Sequence, residues 1–389
     1  MKYGLSDDTW GPEEINALQE VIDSRQFSMS AKVKRFENDF CNKFDVKYSV
    51  MVSSGSAANL LMIAALVYSK RLNAGDEVIV TAVSWSTTYF PLMQFGLKIR
   101  FVDINRETLN IDTTKIEQAI TDKTKMIFLV NLLGNPNEFQ VINDICKKHN
   151  LFMIEDNCES LGAVYKNRQL GTIGLIGTYS TFYSHHLCTM EGGIAVTNNE
   201  ELYHYMLSIR AHGWTRNLPS DSKIYKKKDD PFYESFNFII PGFNLRPLEM
   251  EAAVGIEQLK KMDKIIIQRR NNAEYFIDKA RVVQGIITQK EIEKSSWFGF
   301  SVLFDKPFDG MRNKAVRYLS EAGIEVRPIV AGNFTRNHVI KYFDYSIYDK
   351  LINADDIHEN GFFIGNHSKD IRSEIDYFFI KLAEVLNKK

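Results

Sequence analysis

Between residues 48 and 200, short runs of apolar and β-branched residues alternate with longer runs of helix formers. The runs 48–52, 77–81, 100–103, 126–131 and 151–155 read as strands, too short and too continuously apolar for amphipathic helices. The stretch 57–70 reads as a helix entered through the turn Ser53-Ser54-Gly55-Ser56, and Gly75-Asp76 precedes the second strand. Strand–helix repetition at this spacing predicts a mostly parallel sheet covered on both faces. Ligands of such sheets sit at the carboxyl ends of strands, so the residues just after each strand carry the functional weight. Further on, 247–270 reads as one long helix with Pro247 at its start, and the rest of the chain mixes strands (299–304, 325–329) with helices. The expected organisation is a large α/β domain over 1–250 and a smaller C-terminal α+β domain over 251–389.

Composition narrows the function classes. The chain has 389 residues with Lys plus Arg 48 against Asp plus Glu 49, so neither a basic stripe nor an acidic tail points to nucleic acid. The 4 cysteines, Cys41, Cys146, Cys158 and Cys188, lie far apart with no CxxC, which argues against a disulfide framework or structural zinc and fits a reducing cytoplasm. The N-terminal segment has no apolar signal core, and the most apolar run, 60–67, is far short of the roughly 20 residues a membrane span needs.

Four constellations fall at expected strand ends. Ser53-Ser54-Gly55-Ser56-Ala57-Ala58-Asn59 stands between a strand and a helix, where small residues and a helix N-terminus suit a phosphate; alone it is also an ordinary helix cap. Ile154-Glu155-Asp156-Asn157-Cys158-Glu159 ends an apolar strand with carboxylates that could meet a pyridinium nitrogen, or simply water. Ser180 to Gly193 contains the pair His185-His186; adjacent residues point in different directions, and no HExxH is present, so a metal site is not expected. Pro241-Gly242-Phe243-Asn244-Leu245-Arg246-Pro247 is, alone, a Gly/Pro turn.

Together, in this order and spacing, the four segments resemble the DegT/DnrJ/EryC1/StrS family of sugar aminotransferases. The resemblance covers nearly the whole chain. It implies a fold type I pyridoxal phosphate (PLP) scaffold with a mostly parallel seven-stranded sheet. It also implies a cofactor phosphate held by Gly55, Ser56, Ala57 and Ser180, and a pyridine nitrogen meeting Asp156. Asn244 would reach the cofactor of the partner subunit in a homodimer. Trp85 sits where a ring can stack on the cofactor.

One departure decides the chemistry. The family's Schiff-base lysine lies six residues before Glu-Gly-Gly; here that position is His185, and no lysine occurs from residue 167 to 222. Imidazole cannot hold the cofactor covalently, but it can shuttle protons near neutral pH. Glu159 is a second departure, standing where family aminotransferases usually carry Gln or His. With Ala211 to Pro219, Ser295 to Phe300 and Arg327-Pro328-Ile329, these features resemble the family's dehydratase members of the colitose pathway. That resemblance implies a 3-dehydratase that uses pyridoxamine phosphate (PMP) on GDP-4-keto-6-deoxy-D-mannose, with His185 as the catalytic acid–base and L-glutamate as amino donor. His212 and Arg216 would serve the glutamate, Gln26, Phe27, Ser28 and Met29 the sugar nucleotide, and Arg246 and Arg327 would add cationic contacts to substrate. The alternatives are an aminotransferase of the same fold, against which the missing lysine speaks, and a non-catalytic binding protein, against which the retained Asp156, Glu159, Ser180 and Asn244 speak.

Overall fold

The computed structural model describes residues 2–387. The alternating segment forms β1 (Tyr48–Val52), β2 (Glu77–Thr81), β3 (Lys98–Val102), β4 (Thr124–Val130), β5 (Phe152–Asp156), β6 (Gly177–Ser180) and β7 (Gly193–Thr197). The later strands are β8 (Ile286–Ile287), β9 (Gly299–Phe304), β10 (Val326–Arg327), β11 (Tyr345–Ile347) and β12 (Gly361–Gly365). The main sheet runs β1-β7-β6-β5-β4-β2-β3-β11. It is parallel from β6 to β11, while β7 is antiparallel to both β1 and β6. The sheet therefore has eight strands rather than seven. The extra edge strand, β11, is three residues long with Tyr345 and Ile347 exposed, so no apolar run announces it.

Helices α1 (Pro12–Ser24), α2 (Ala31–Phe44), α3 (Gly55–Tyr68) and α4 (Ser86–Gln94) flank this sheet. In α3, ten of the residues from Gly55 to Leu66 are buried, which explains its nearly uniform apolar sequence. The N-terminus of α3 is fixed by Ser54, whose hydroxyl accepts from Ala57 N at 3.0 Å.

The long helix α5 (Glu249–Ala280) has 32 residues, about 48 Å at the usual rise. It starts at Glu249, not Pro247, and continues ten residues past the expected end at Arg270. The polar pair Asn271-Asn272 looks like a stop, but Asn272 is buried and donates to Asn366 Oδ1, His367 O and Lys369 O at 3.1, 3.1 and 2.8 Å. One turn on, Phe276 stacks on Phe300 with centroids 4.3 Å apart. The first half of α5 thus packs against α1 and α2, and its second half enters another core.

That second core surrounds the sheet β8-β9-β12-β10 and includes Phe276, Phe300, Leu319 and Phe378, together with Tyr3 from the other end of the chain. Residue 250 lies in the first turn of α5. The chain beyond it also returns to the first core through Ile329, Phe334, Phe343, Leu351 and Ile357. Among the described residues no helix is long and apolar enough to cross a membrane.

Candidate active site

The carboxyl ends of β5 and β6 meet the N-termini of α3 and α4. Asp156, the last residue of β5, is buried and registered against Thr178 of β6. Its Oδ2 accepts from Asn59 Nδ2 at 2.7 Å and from Thr88 Oγ1 at 2.8 Å, and its Oδ1 from Cys158 N at 3.1 Å. Asn59 is oriented in turn by Thr178, whose hydroxyl donates to Asn59 Oδ1 at 2.6 Å, and Thr88 by Ser84 at 2.8 Å. Only neutral groups touch this carboxylate among the described residues. A buried anion held this way is unbalanced until a cation arrives.

Beside it, Gly55 opens α3. A Cβ added there would stand 2.6 Å from Ser180 Cβ and 2.9 Å from Cys158 Sγ, so glycine is required for the backbone to approach the end of β6 this closely. The helix N-terminus, the small side chains of Ser56 and Ala57 and the Ser180 hydroxyl form one cradle. Trp85 stands in the turn before α4 with 57% of its surface exposed, and its carbonyl accepts from Thr88 N at 3.1 Å. The Trp85 backbone is thus tied to the same turn that supplies a donor to Asp156.

Glu159 follows on the loop after β5. Its Oε2 accepts from Leu133 N at 3.0 Å, and burial, with the nearby Asp156 charge second, pushes its carboxyl up to about 7.

His185 lies in the loop between β6 and β7. Its ring packs edge-on against Phe182 and Phe298, centroids 5.8 and 5.1 Å away. Its Nδ1 is buried with no partner, and burial together with the Arg269 charge pushes the imidazole down to about 4. The neighbouring His186 also packs against Phe298, centroids 5.7 Å apart, but is buried, and its Nε2 meets Ser296 O at 3.1 Å.

A second group of expected residues lies where the loop after helix Glu200–Arg210 meets the segment before α5. Ala211 bridges to Asn244, and Ser53 N donates to Leu245 O at 3.0 Å, which ties this group to the start of the phosphate cradle. Arg216 lies over the Trp214 ring at 4.2 Å and over Phe236 at 5.1 Å, and Arg246 also lies over Trp214 at 5.7 Å. Arg246 Nε donates to Asn244 Oδ1 at 2.9 Å, and Asn244 is exposed on the single chain. His212 has φ +63° and stands against Trp214, ring centroids 5.3 Å apart.

Gln26, Phe27, Ser28 and Met29 form an open loop between α1 and α2. It is clamped to the start of α5 by Ser28 bridging Leu248 and by Glu249 N donating to Phe27 O at 3.0 Å. Arg327 is exposed on β10, opposite Phe363 of β12; Phe363 packs on Phe298, the ring that supports His185. Directly opposed strand residues share a face, so Arg327 lies on the side of β10 that looks toward His185.

Sequence reasoning assigned no role to Asn59, Ser84, Thr88 or Thr178, although Asn59 lies inside a quoted motif and Ser84 and Thr88 flank Trp85 within three residues. It also missed Arg269 and Phe298 as supports of His185. Their roles depend on contacts between distant segments, for which the linear pattern carries no signal.

The arrangement suits a pyridoxal-type cofactor: a small-residue cradle at a helix N-terminus for a phosphate, and an unbalanced buried carboxylate for a protonated pyridine nitrogen. Comparison with known proteins agrees. Residues 8–379 match the model of the DegT/DnrJ/EryC1/StrS aminotransferase family, and the chain belongs to that family. It is 54% identical over 390 residues, covering 99% of this chain and 100% of the relative, to GDP-4-keto-6-deoxy-D-mannose 3-dehydratase of Escherichia coli O55:H7. It is 53% identical to the enzyme of the same name from Yersinia pseudotuberculosis, covering 97% and 98% of the two chains. Among solved structures, GDP-4-keto-6-deoxymannose-3-dehydratase with a trapped PLP-glutamate geminal diamine superposes with a TM-score of 0.96 at 53% identity, covering 98% of this chain and all of the other.

Proposed function

We infer that this chain is a B6-dependent 3-dehydratase that removes the C3 hydroxyl of GDP-4-keto-6-deoxy-D-mannose, with L-glutamate as amino donor. The observation that carries the reading is His185. An imidazole stands where the family's aminotransferases hold a lysine, on a site whose other cofactor contacts are retained. The similarity to the 3-dehydratases of Escherichia coli and Yersinia supports it over nearly the full length of both chains.

When bound, PMP supplies a primary amine and a ring that accepts electrons. This chain's residues supply the rest. Asp156 holds the proton on the ring nitrogen. Gly55, Ser56, Ala57 and Ser180 seat the phosphate, Trp85 covers the ring, and Glu159 stands on the same wall. His185, neutral in the free protein, takes up a proton at a ring nitrogen and returns it to the departing C3 hydroxyl oxygen. An anionic ligand in the cleft raises the proton affinity of this imidazole from its low resting value, toward the range in which it can also donate. Net, the sugar exchanges its C3 hydroxyl for hydrogen: the water lost at C3 and on condensation is matched by water consumed on hydrolysis, glutamate supplies the two electrons and leaves as its 2-oxo acid, and the nitrogen is released as ammonia.

The remaining assignments belong to the same reading. Arg216, with His212, meets the glutamate carboxylate. The loop 26–29, Arg246 and Arg327 contact the sugar nucleotide. The working unit is a homodimer in which Asn244 serves the partner's cofactor. The exposed apolar side chains Phe182, Tyr183, Phe232, Phe236, Phe238 and Leu248 support such an interface. The setting is colitose formation for O-antigen, in the cytoplasm. The test is the product formed from GDP-4-keto-6-deoxymannose, PMP and glutamate: a sugar lacking the 3-hydroxyl, with ammonia, supports the reading, and a 4-amino sugar refutes it.

A further inference from the structure

Arg269, in the middle of α5, is 1% exposed, and no carboxylate lies within ion-pairing distance among the described residues. A guanidinium buried with no carboxylate in contact, and only the more distant Asp7 charge to offset it, is costly, and it calls for an account of what it holds. Its Nη1 donates to Phe298 O at 3.2 Å and to Trp297 O at 3.4 Å, while its Nε is buried without a partner.

The segment these bonds reach is tied at every residue. Ser296 N donates to Gly134 O at 3.0 Å, and Ser296 O faces His186 Nε2 at 3.1 Å. Trp297 sits at φ +47°, a region bulky side chains rarely occupy, and Asn366 Nδ2 shares its carbonyl with Arg269 at 2.9 Å. Phe298 N donates to Leu133 O at 2.9 Å, and Leu133 N donates to Glu159. The outcome is the placement of one ring: Phe298 contacts His185 at 5.1 Å and 62°, and His186 at 5.7 Å and 51°.

We propose that Arg269 is a positioning residue for His185, acting through the Trp297 and Phe298 carbonyls to fix the Phe298 ring on which the imidazole rests. The assignment rests on His185 being the base. The same guanidinium charge lies close enough to disfavour protonation of both histidines, which burial already disfavours more strongly. The other charged or titratable groups that bear on this cluster are Arg270 of α5, acting on His186, the two imidazoles themselves, Glu159 behind Leu133, Glu291, which accepts from the Trp297 indole at 3.2 Å and acts on Arg270, His367, on which Arg269 acts, and Asp7, which acts on Arg269 while bonded to Ser368. Arg269 thus supplies both a fixed wall and a field that keeps the base unprotonated.

The test uses the full-length protein and three variants, Arg269→Met, Arg269→Lys and Phe298→Leu. Two quantities are read: the histidine titration of the cofactor-free protein by NMR, with His185→Asn as the assignment control, and the pH profile of 3-deoxy-sugar formation. Arg269→Met should raise the His185 midpoint by about one unit and carry the acidic limb of kcat/KM with it, and kcat should fall about tenfold or more. Arg269→Lys keeps the charge, but its shorter side chain cannot place a nitrogen where Nη1 meets both carbonyls, so its midpoint should stay low while kcat falls. Phe298→Leu should behave as Arg269→Lys does, with the KM for sugar nucleotide within about threefold of wild type in both. If Arg269→Met does not fold, the low midpoint and reduced kcat of the other two carry the proposal. An unmoved midpoint in folded Arg269→Met, or wild-type kcat in Arg269→Lys and Phe298→Leu, overturns it. A wild-type protein that forms no 3-deoxy product removes the reading of His185 on which the assignment rests, and does so separately from the midpoint measurement.

Discussion

Thr88 donates its hydroxyl to Asp156 Oδ2 at 2.8 Å, tying the first turn of α4 to the end of β5. With Asn59 on the same oxygen and Cys158 N on the other, the carboxylate is held by three uncharged donors and kept in place without a charged partner. That is the condition a carboxylate needs to stabilise a pyridinium. Asp156→Asn should therefore nearly abolish turnover and leave the fold intact, as read by circular dichroism and steady-state rates. A near-normal rate with intact PMP binding would contradict the role given to Asp156.

The cradle predicts a steric outcome. Gly55→Ala places a methyl group 2.6 Å from Ser180 Cβ, where one side must move. PMP affinity, measured by equilibrium dialysis, should fall by about tenfold or more, because the displaced backbone no longer aims its N–H groups at the phosphate. Unchanged affinity would place the phosphate elsewhere.

Lysine-free chemistry predicts a covalent null. Borohydride reduction in the presence of PLP should leave no cofactor attached at residue 185, as seen by peptide mass spectrometry. His185→Lys should capture PLP, show a Schiff-base absorbance and lose dehydratase activity. A covalent adduct at His185 in the native protein would contradict the non-covalent site.

Two pKa shifts predict opposite stability trends in the cofactor-free protein. His185 falls to about 4 in the fold from an ordinary 6.5, so its stabilising contribution is full above 6.5 and is lost as pH drops toward 4. Glu159 rises to about 7 from 4.5, so its contribution is full below 4.5 and is lost as pH rises through 7. Glu159→Gln keeps an acceptor for Leu133 N and removes that loss. Its melting temperature relative to wild type should be higher at pH 8 than at pH 5, with a ceiling of about 3 kcal/mol. A difference independent of pH would mean that Glu159 is not strained by burial.

The parts of the site that depend on covalent or charge chemistry were legible in the sequence. A lysine either stands before Glu-Gly-Gly or it does not, and a strand ending in Asp156 beside a Ser-Gly-Ser turn marks the floor of a phosphate and ring site. The supports were not legible. Asn59 and Thr88 are short polar residues whose partner lies 97 and 68 positions away. Arg269 reads along the chain as one more charge on a charged helix, and only the packing of α5 shows that it is enclosed. The strand Tyr345–Ile347 escaped for a similar reason, because it borrows its burial from β3 and not from its own side chains.

The central claim is that His185 makes this family member a dehydratase. The direct measurement is the product spectrum of wild type and His185→Asn with GDP-4-keto-6-deoxymannose, PMP and glutamate. Wild type should yield the 3-deoxy sugar with ammonia. His185→Asn should still bind PMP and form that product about 10² to 10⁴ times more slowly, the usual contribution of a general acid–base group. A 4-amino sugar that retains its 3-hydroxyl, or dehydration by His185→Asn at the wild-type rate, would contradict the account.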